Sequence, residues 1–267
     1  MRTFPQELVD KVIDELVELY DYETHCIVPY SLISKAWVAR TQRHHFETVS
    51  FNGSEKLRRW CRKITPNPAG VSRHTCLLVL NEIDTLEGFE AHIRAFTRVD
   101  DVTIMECNFL LSPSVAESFA PIGPSLTQLW IFKSEATSRT IISLLAGLPR
   151  LKSFTALEFK VTDDAGGTDL IPQIAFFGGN NSVELFSHED RRDLPGPPDW
   201  IPPSARFGDL KIDTTYFLHK AILVNQWLSS SCTTLTSLTI NGYPDLKCRP
   251  RGKIYISMHP ADVVVSR

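Results

Sequence analysis

Long apolar runs are missing from this sequence of 267 residues. No stretch stays apolar for the ~18 residues that a membrane span needs. The run from Cys26 to Ala39, for example, is broken by Lys35. Met1 to Asp10 lacks the basic start and apolar stretch of a secretory signal. Closely spaced cysteines are missing too. The six, at 26, 61, 76, 107, 232 and 248, make no metal-type pair and too loose a set for a disulfide framework. These absences point to a cytoplasmic or nuclear chain, in which the sequons at Asn52 and Asn180 would be idle. Cys76 and Cys107 fall in strand-like segments and read as small core residues. A surplus of positive charge is also lacking. The formal net charge is −3, which gives no electrostatic footprint for nucleic acid.

Catalytic signatures are absent as well. There is no G-x-x-x-x-G-K-[ST] loop for a nucleotide phosphate, no H-E-x-x-H and no G-x-S-x-G. His44-His45 looks like a ligand pair, but adjacent residues of a helix point to different sides. It reads as a solvated helix end. The charge run His188 to Asp193 reads as a solvated turn, and Asp163-Asp164 needs no metal. Arg58, Arg59, Arg62 and Lys63 crowd one helix-like stretch with Trp60 and read as a solvated face. The expectation is a non-enzymatic chain with no cofactor and no metal, which binds neither nucleic acid nor membrane.

What is present is self-similarity. The unit apolar-x-x-apolar-x-apolar occurs at Val99-Val102-Ile104, Leu126-Leu129-Ile131, Leu151-Phe154-Ala156, Phe207-Leu210-Ile212 and Leu235-Leu238-Ile240. Weaker copies keep the closing pair at Leu78/Leu80, Val183/Leu185 and Val49/Phe51. The middle anchors at 49, 78, 102, 129, 154, 183, 210 and 238 are separated by 29, 24, 27, 25, 29, 27 and 28 residues. Helix-like stretches lie between them, at Leu57 to Ile64, Leu86 to Phe96, Arg139 to Leu148 and Tyr216 to Leu228. Strand and helix alternating at a fixed period predict a parallel sheet with helices outside it. Stacked units of ~20–29 residues are the spacing of leucine-rich repeats. The unit resembles that repeat, although the Asn expected after the strand is seen only at Asn108 and Asn241. The rival is a doubly wound α/β domain, which usually carries a Gly-rich loop after its first strand; Leu80 is followed instead by Asn81 to Thr85. Leu194 to Pro203, with five prolines and Trp200, reads as a stiff insertion. It is either a plain surface loop or a partner-binding one. No capping unit is evident after Cys248, where Ile254 to Met258 and Val263 to Val265 suggest short strands.

The first fifty residues are different. Pro5 precedes Leu8, Val9, Val12, Ile13, Leu16, Leu19 and Tyr20, a wide apolar stripe at helical spacing. Two further short helices are predicted, one starting near Pro29 and one ending near Arg43. Three short helices make a small core that wants a neighbour. They also suit an ordinary N-terminal subdomain packed on the rest of the chain. Phe4-Pro5-Gln6-Glu7-Leu8-Val9, followed by Val12, Ile13 and Leu16 and then by Ser31-Leu32-Ile33-Ser34-Lys35-Ala36-Trp37, resembles an F-box, with Phe4 where Leu is usual and a long loop from Tyr20 to Val28.

The expected fold class is therefore α/β: a three-helix F-box-like domain at 1–47, a leucine-rich-repeat-like α/β solenoid with a parallel sheet at 48–247, and an irregular tail at 248–267. The resemblance implies a substrate adaptor of an SCF-type ubiquitin ligase. Its F-box would bind a Skp-type adaptor, and through it the cullin, with Pro5, Leu8, Ile13, Leu32, Ile33 and Trp37 in or under the contact. The repeats would hold an unknown target protein on their concave face. Alternation places Gln128, Trp130 and Phe132 on that face, flanked by Thr103, Met105, Thr155 and Leu157, with Asp209, Lys211 and Asp213 further along. The alternatives are a non-catalytic interaction scaffold outside any ligase and an enzyme on the rival α/β fold.

Overall fold

The computed structural model describes residues 5–19, 24–63, 70–112, 114–162, 181–186, 201, 204–213, 221–241 and 255–256. Inward apolar pairs at each repeat drive the architecture. Strands β1 (Thr48–Asn52), β2 (Leu77–Asn81), β3 (Asp101–Met105), β4 (Gln128–Phe132), β6 (Ser153–Leu157), β8 (Ser182–Phe186), β9 (Asp209–Asp213) and β10 (Ser237–Asn241) lie side by side in that order, all parallel. A two-residue strand β11 (Tyr255–Ile256) closes the far edge antiparallel to β10. Short strands β5 (Glu135–Thr137) and β7 (Lys160–Thr162), which the apolar repeat does not mark, form a separate parallel pair.

Pairing in register puts each repeat's apolar residues in two continuous rows. Leu78, Val102, Leu129, Phe154, Val183, Leu210 and Leu238 make one row; Phe51, Leu80, Ile104, Ile131, Ala156, Leu185 and Ile212 make the other. All of them are buried in a single cluster. The side chain of Ile240 lies outside the described residues, as do Trp200, Asp163 to Gly167 and His188 to Asp193. Within the proline-rich stretch Ile201 is described, and it is buried in the same cluster.

One helix between strands is shorter than its apolar spacing predicts. Helix α3 (Ser54–Lys63) and helix α6 (Ser138–Ala146) match expectation, and Thr137 caps α6 by accepting the N–H of Thr140 at 3.1 Å. The expected helix from Leu86 to Phe96 shrinks to α4 (Glu90–Ile93). Gly88 holds a left-handed φ of 79°, which no right-handed helix can pass through. Helix α5 (Val115–Phe119) follows β3, and α7 (Ala221–Ser230) covers part of the stretch expected from Tyr216. The basic residues of α3 are exposed as expected, with Glu55 reaching Arg62 at 3.2 Å. Trp60 is not on that face; it packs among Phe51, Phe89 and Phe96.

One turn recurs at the end of successive strands. Glu82, Glu106, Lys133 and Glu158 each follow a strand directly and take φ between 45° and 54°. Gly53 stands in the same place after β1, at 89°. A side chain in that region costs roughly 1–2 kcal/mol. The turn is held regardless, because the N–H groups of Gly53, Glu82, Glu106 and Lys133 each donate to the last carbonyl of the next strand. Gly53 reaches Asn81 at 2.8 Å, and Glu82, Glu106 and Lys133 reach Met105, Phe132 and Leu157 at 2.9 Å.

The polar side chain that anchors this turn is not the expected Asn108, which is exposed and donates to Asp84 at 3.2 Å. It is the residue before it. The thiol of Cys107 donates to the Met105 carbonyl at 3.1 Å and accepts the N–H of Ile83 at 3.4 Å. One repeat on, the Ser134 hydroxyl donates to the Phe132 carbonyl at 2.9 Å and accepts the N–H of Cys107 at 3.0 Å. Cys107 thus lies beyond its strand, and Cys76, just before β2, is only half-buried. Burial pushes the Cys107 thiol up to about 11, so it stays protonated and able to donate. Cys107→Ser should retain the ladder as Ser134 does. Cys107→Val leaves the Ile83 N–H without its acceptor and should cost about 1–3 kcal/mol in urea unfolding. Equal stability of Cys107→Val and the parent would remove this role.

Candidate functional site: an exposed apolar helical surface and an aromatic strand face

The N-terminal residues form α1 (Gln6–Leu19), a 3-10 helix (Thr24–Leu32) and α2 (Lys35–His45). The middle helix is thus a tight 3-10 one that contains Pro29 rather than starting at it. The wide apolar stripe of α1 splits. Val9, Ile13 and Val17, one turn apart, are buried, outside the main core cluster. Leu8, Val12 and Leu19 stay exposed, as do Val28, Leu32 and Ile33 on and after the 3-10 helix. Leu32 is 86% exposed and Ile33 59%. Pro5 is exposed and Trp37 half-buried, stacked on Tyr30 at 6.2 Å. Of the six residues expected at an adaptor contact, Ile13 is therefore buried, Trp37 is half-buried and the other four are exposed.

His44 is not the solvated helix end that its sequence position suggests. Its Nε2 lies 2.7 Å from Asp14 of α1 and its Nδ1 3.3 Å from Glu47. Arg40 donates to both oxygens of the same Asp14, at 2.7 and 2.6 Å. This cluster and the bond from Gln6 Nε2 to the Ala36 carbonyl, 3.0 Å, tie α1 to α2. The Arg40 hydrogen bonds lower the Asp14 carboxyl below its ordinary value against a counteracting burial, with His44 helping. A lowered folded pKa stabilises above the unfolded value and is lost as pH falls through the folded one. Parent and Asp14→Asn should thus differ at neutral pH by about 1 kcal/mol or less, since the pair is partly open to water. The difference should begin to shrink below about pH 4 and vanish only below the lowered folded value. A gap that persists in acid melts would show that Asp14 does not act through its charge.

On the sheet, Gln128 and Trp130 project away from the core and are exposed, and Phe132 beyond them is half-buried. Trp130 is 37% exposed. In register, Thr103 and Thr155 flank Trp130, and Met105 and Leu157 flank Phe132. Thr155 departs from expectation: it points outward by alternation yet is buried, at the same level as Trp130 and Glu184. Lys211 shares the Trp130 row, three strands away, but it is not a free cation, because its ammonium is bound by Glu184. Asp209 accepts from Thr236 at 2.8 Å, and the side chain of Asp213 lies outside the described residues. Among the described residues no three His, Cys, Asp or Glu side chains group as metal ligands. Among them, too, no helix is long and apolar enough to cross a membrane.

No protein-family model, curated protein or solved structure matches this chain. The functional reading therefore rests on the two surfaces. One is a helical module with six apolar side chains left in water. The other is a strand face carrying an exposed tryptophan.

Proposed function

We propose that this chain is the substrate-holding adaptor of an SCF-type ubiquitin ligase. In this reading the helical module is an F-box that docks on a Skp-type adaptor. The ordered parallel strands and their recurring turn are then a leucine-rich-repeat-like solenoid that holds a target protein. The observation that carries the reading is the exposed set Leu8, Val12, Leu19, Val28, Leu32 and Ile33. Exposed apolar side chains grouped on one small module tend to mark a contact, and four of the six, Leu8, Val12, Leu32 and Ile33, are residues that resemble the F-box motif. The chain itself would do no chemistry. It would raise the effective concentration of a target lysine near a charged ubiquitin carrier. A cytoplasmic or nuclear location follows from that role.

The second reading, a scaffold outside any ligase, draws on Trp130 alone, since an exposed aromatic on a sheet face serves any protein contact. Purification of the full chain with a Skp-type adaptor and a cullin separates the two. Capture of both supports the ligase reading, and it should be lost with Leu8→Asp and Leu32→Asp. Target capture without the adaptor would leave the scaffold.

A further inference from the structure

Two groups on the outward face of the sheet are matched by lysines of the chain itself, and two near them are not. Lys133 Nζ sits 5.1 Å from the Phe132 ring centroid and 3.8 Å from Glu106. Lys211 neutralises Glu184. The first unmatched group is Trp130. Among the described residues, Trp130 is the one tryptophan with no aromatic neighbour: Trp37 stacks on Tyr30, Trp60 sits among Phe51, Phe89 and Phe96, and Trp227 meets Phe207.

Its neighbour Asp101 is equally unmatched. Asp101, Thr103 and Met105 alternate onto the outward face of β3. Asp101 pairs with Gln128 and Thr103 with Trp130, so Asp101 sits one strand across and two residues down from the indole. Strand spacing and rise put the two backbones roughly 8 Å apart. The Asp101 Oδ1 is enclosed yet has no hydrogen-bond partner among the described residues. Burial and then the adjacent Asp100 push its carboxyl above its ordinary value, and no described cation offsets them. A half-buried carboxylate with one oxygen unpaired is a costly arrangement. A cation brought from outside would relieve it.

We propose that Trp130 and Asp101 together take an arginine side chain from an extended segment of the target protein. The guanidinium plane lies on the indole and its N–H groups face the carboxylate. Arginine fits better than lysine because its planar, weakly hydrated group stacks on an aromatic face while its edge still donates. The inference rests on reading this face as the target-binding one, and it adds the chemistry of the target: a basic residue with apolar neighbours that meet Met105, Phe132 and Leu157.

The test uses the full chain and the indole N–H resonance of Trp130, assigned with Trp130→Phe. The probes are the capped tripeptide Leu-Arg-Leu and the same peptide with neutral, isosteric citrulline. The arginine peptide should shift the resonance at roughly tenfold lower concentration than citrulline, as stacking plus one ion pair predicts. Asp101→Asn should erase that preference with an unchanged melting temperature. Equal response to both peptides, or a preference that survives Asp101→Asn, overturns the proposal. So does a preference that emerges only with Arg249→Gln and Arg251→Gln, which would give the site to the chain's own basic run, or self-association abolished by Asp101→Asn, which would give it to a second copy. Arginine preference without adaptor capture keeps the pocket and removes the ligase reading; adaptor capture without the preference does the reverse.

Discussion

Phe154→Ala is expected to lower the melting temperature by about 10 °C, the largest stability effect of any single change considered. Phe154 is fully buried, between Leu129 and Val183 in the inner row. Removing a buried Phe side chain costs about 3–5 kcal/mol, because the cavity left behind is only partly filled by relaxation. In a chain of this size each kcal/mol is worth about 2–4 °C. The site has little scope to collapse. Ala156, two residues on, is already small and buried, so this strand gives the core one large side chain and one small. Each strand is hydrogen-bonded only to its neighbours in chain order. A defect at β6 therefore weakens the joint between the β1–β4 half and the β8–β10 half. Thermal melts followed by hydrogen exchange would read both effects. A shift under 3 °C, or protection lost equally in all strands, would contradict this account.

The strands were the most legible part of the fold, for a physical reason. A strand that buries one face alternates, so two apolar residues one apart locate it and assign its outward neighbours at once. Trp130 and Phe132 were placed that way, and the structure leaves both at least partly exposed. Properties that depend on a second strand were not legible. Lys211 looks like a free charge until β9 is set beside β8, which brings Glu184 to its level. Thr155 looks exposed until Trp130 and Glu184 flank it. The turn anchor was misread by one residue because asparagine is the obvious candidate at Asn108. In the folded chain the left-handed residue Glu106 turns the backbone so that Cys107 points in and Asn108 points out. The helix over Leu86 to Phe96 had the right apolar spacing, and a single backbone angle at Gly88 cut it short. His44 was misread because its partner Asp14 lies 30 residues away.

Leu8→Asp combined with Leu32→Asp should abolish capture of a Skp-type adaptor while leaving the chain folded. The pair is chosen for exposure. Leu8 is 48% exposed and Leu32 86%, so neither holds much of the module's own core. Substitutions at such positions usually change stability by less than about 0.5 kcal/mol. In a complex the same residues would be buried, and truncating a central anchor typically costs about 2 kcal/mol or more. Two anchors lost together amount to roughly a thousandfold in affinity, and a carboxylate in an apolar contact adds a desolvation cost to that. Ile13→Ala separates fold from contact. Ile13 is 1% exposed, so its loss should melt the α1–α2 packing first and reduce capture only as a consequence. Leu111→Asp is the control, a leucine outside the helical module that is 42% exposed against 48% for Leu8. Calorimetric titration of purified adaptor into each full-length variant, with circular dichroism beside it, distinguishes the cases. Adaptor affinity within threefold of the parent in the double mutant, or a loss as large with Leu111→Asp, would remove the helical surface as the docking site.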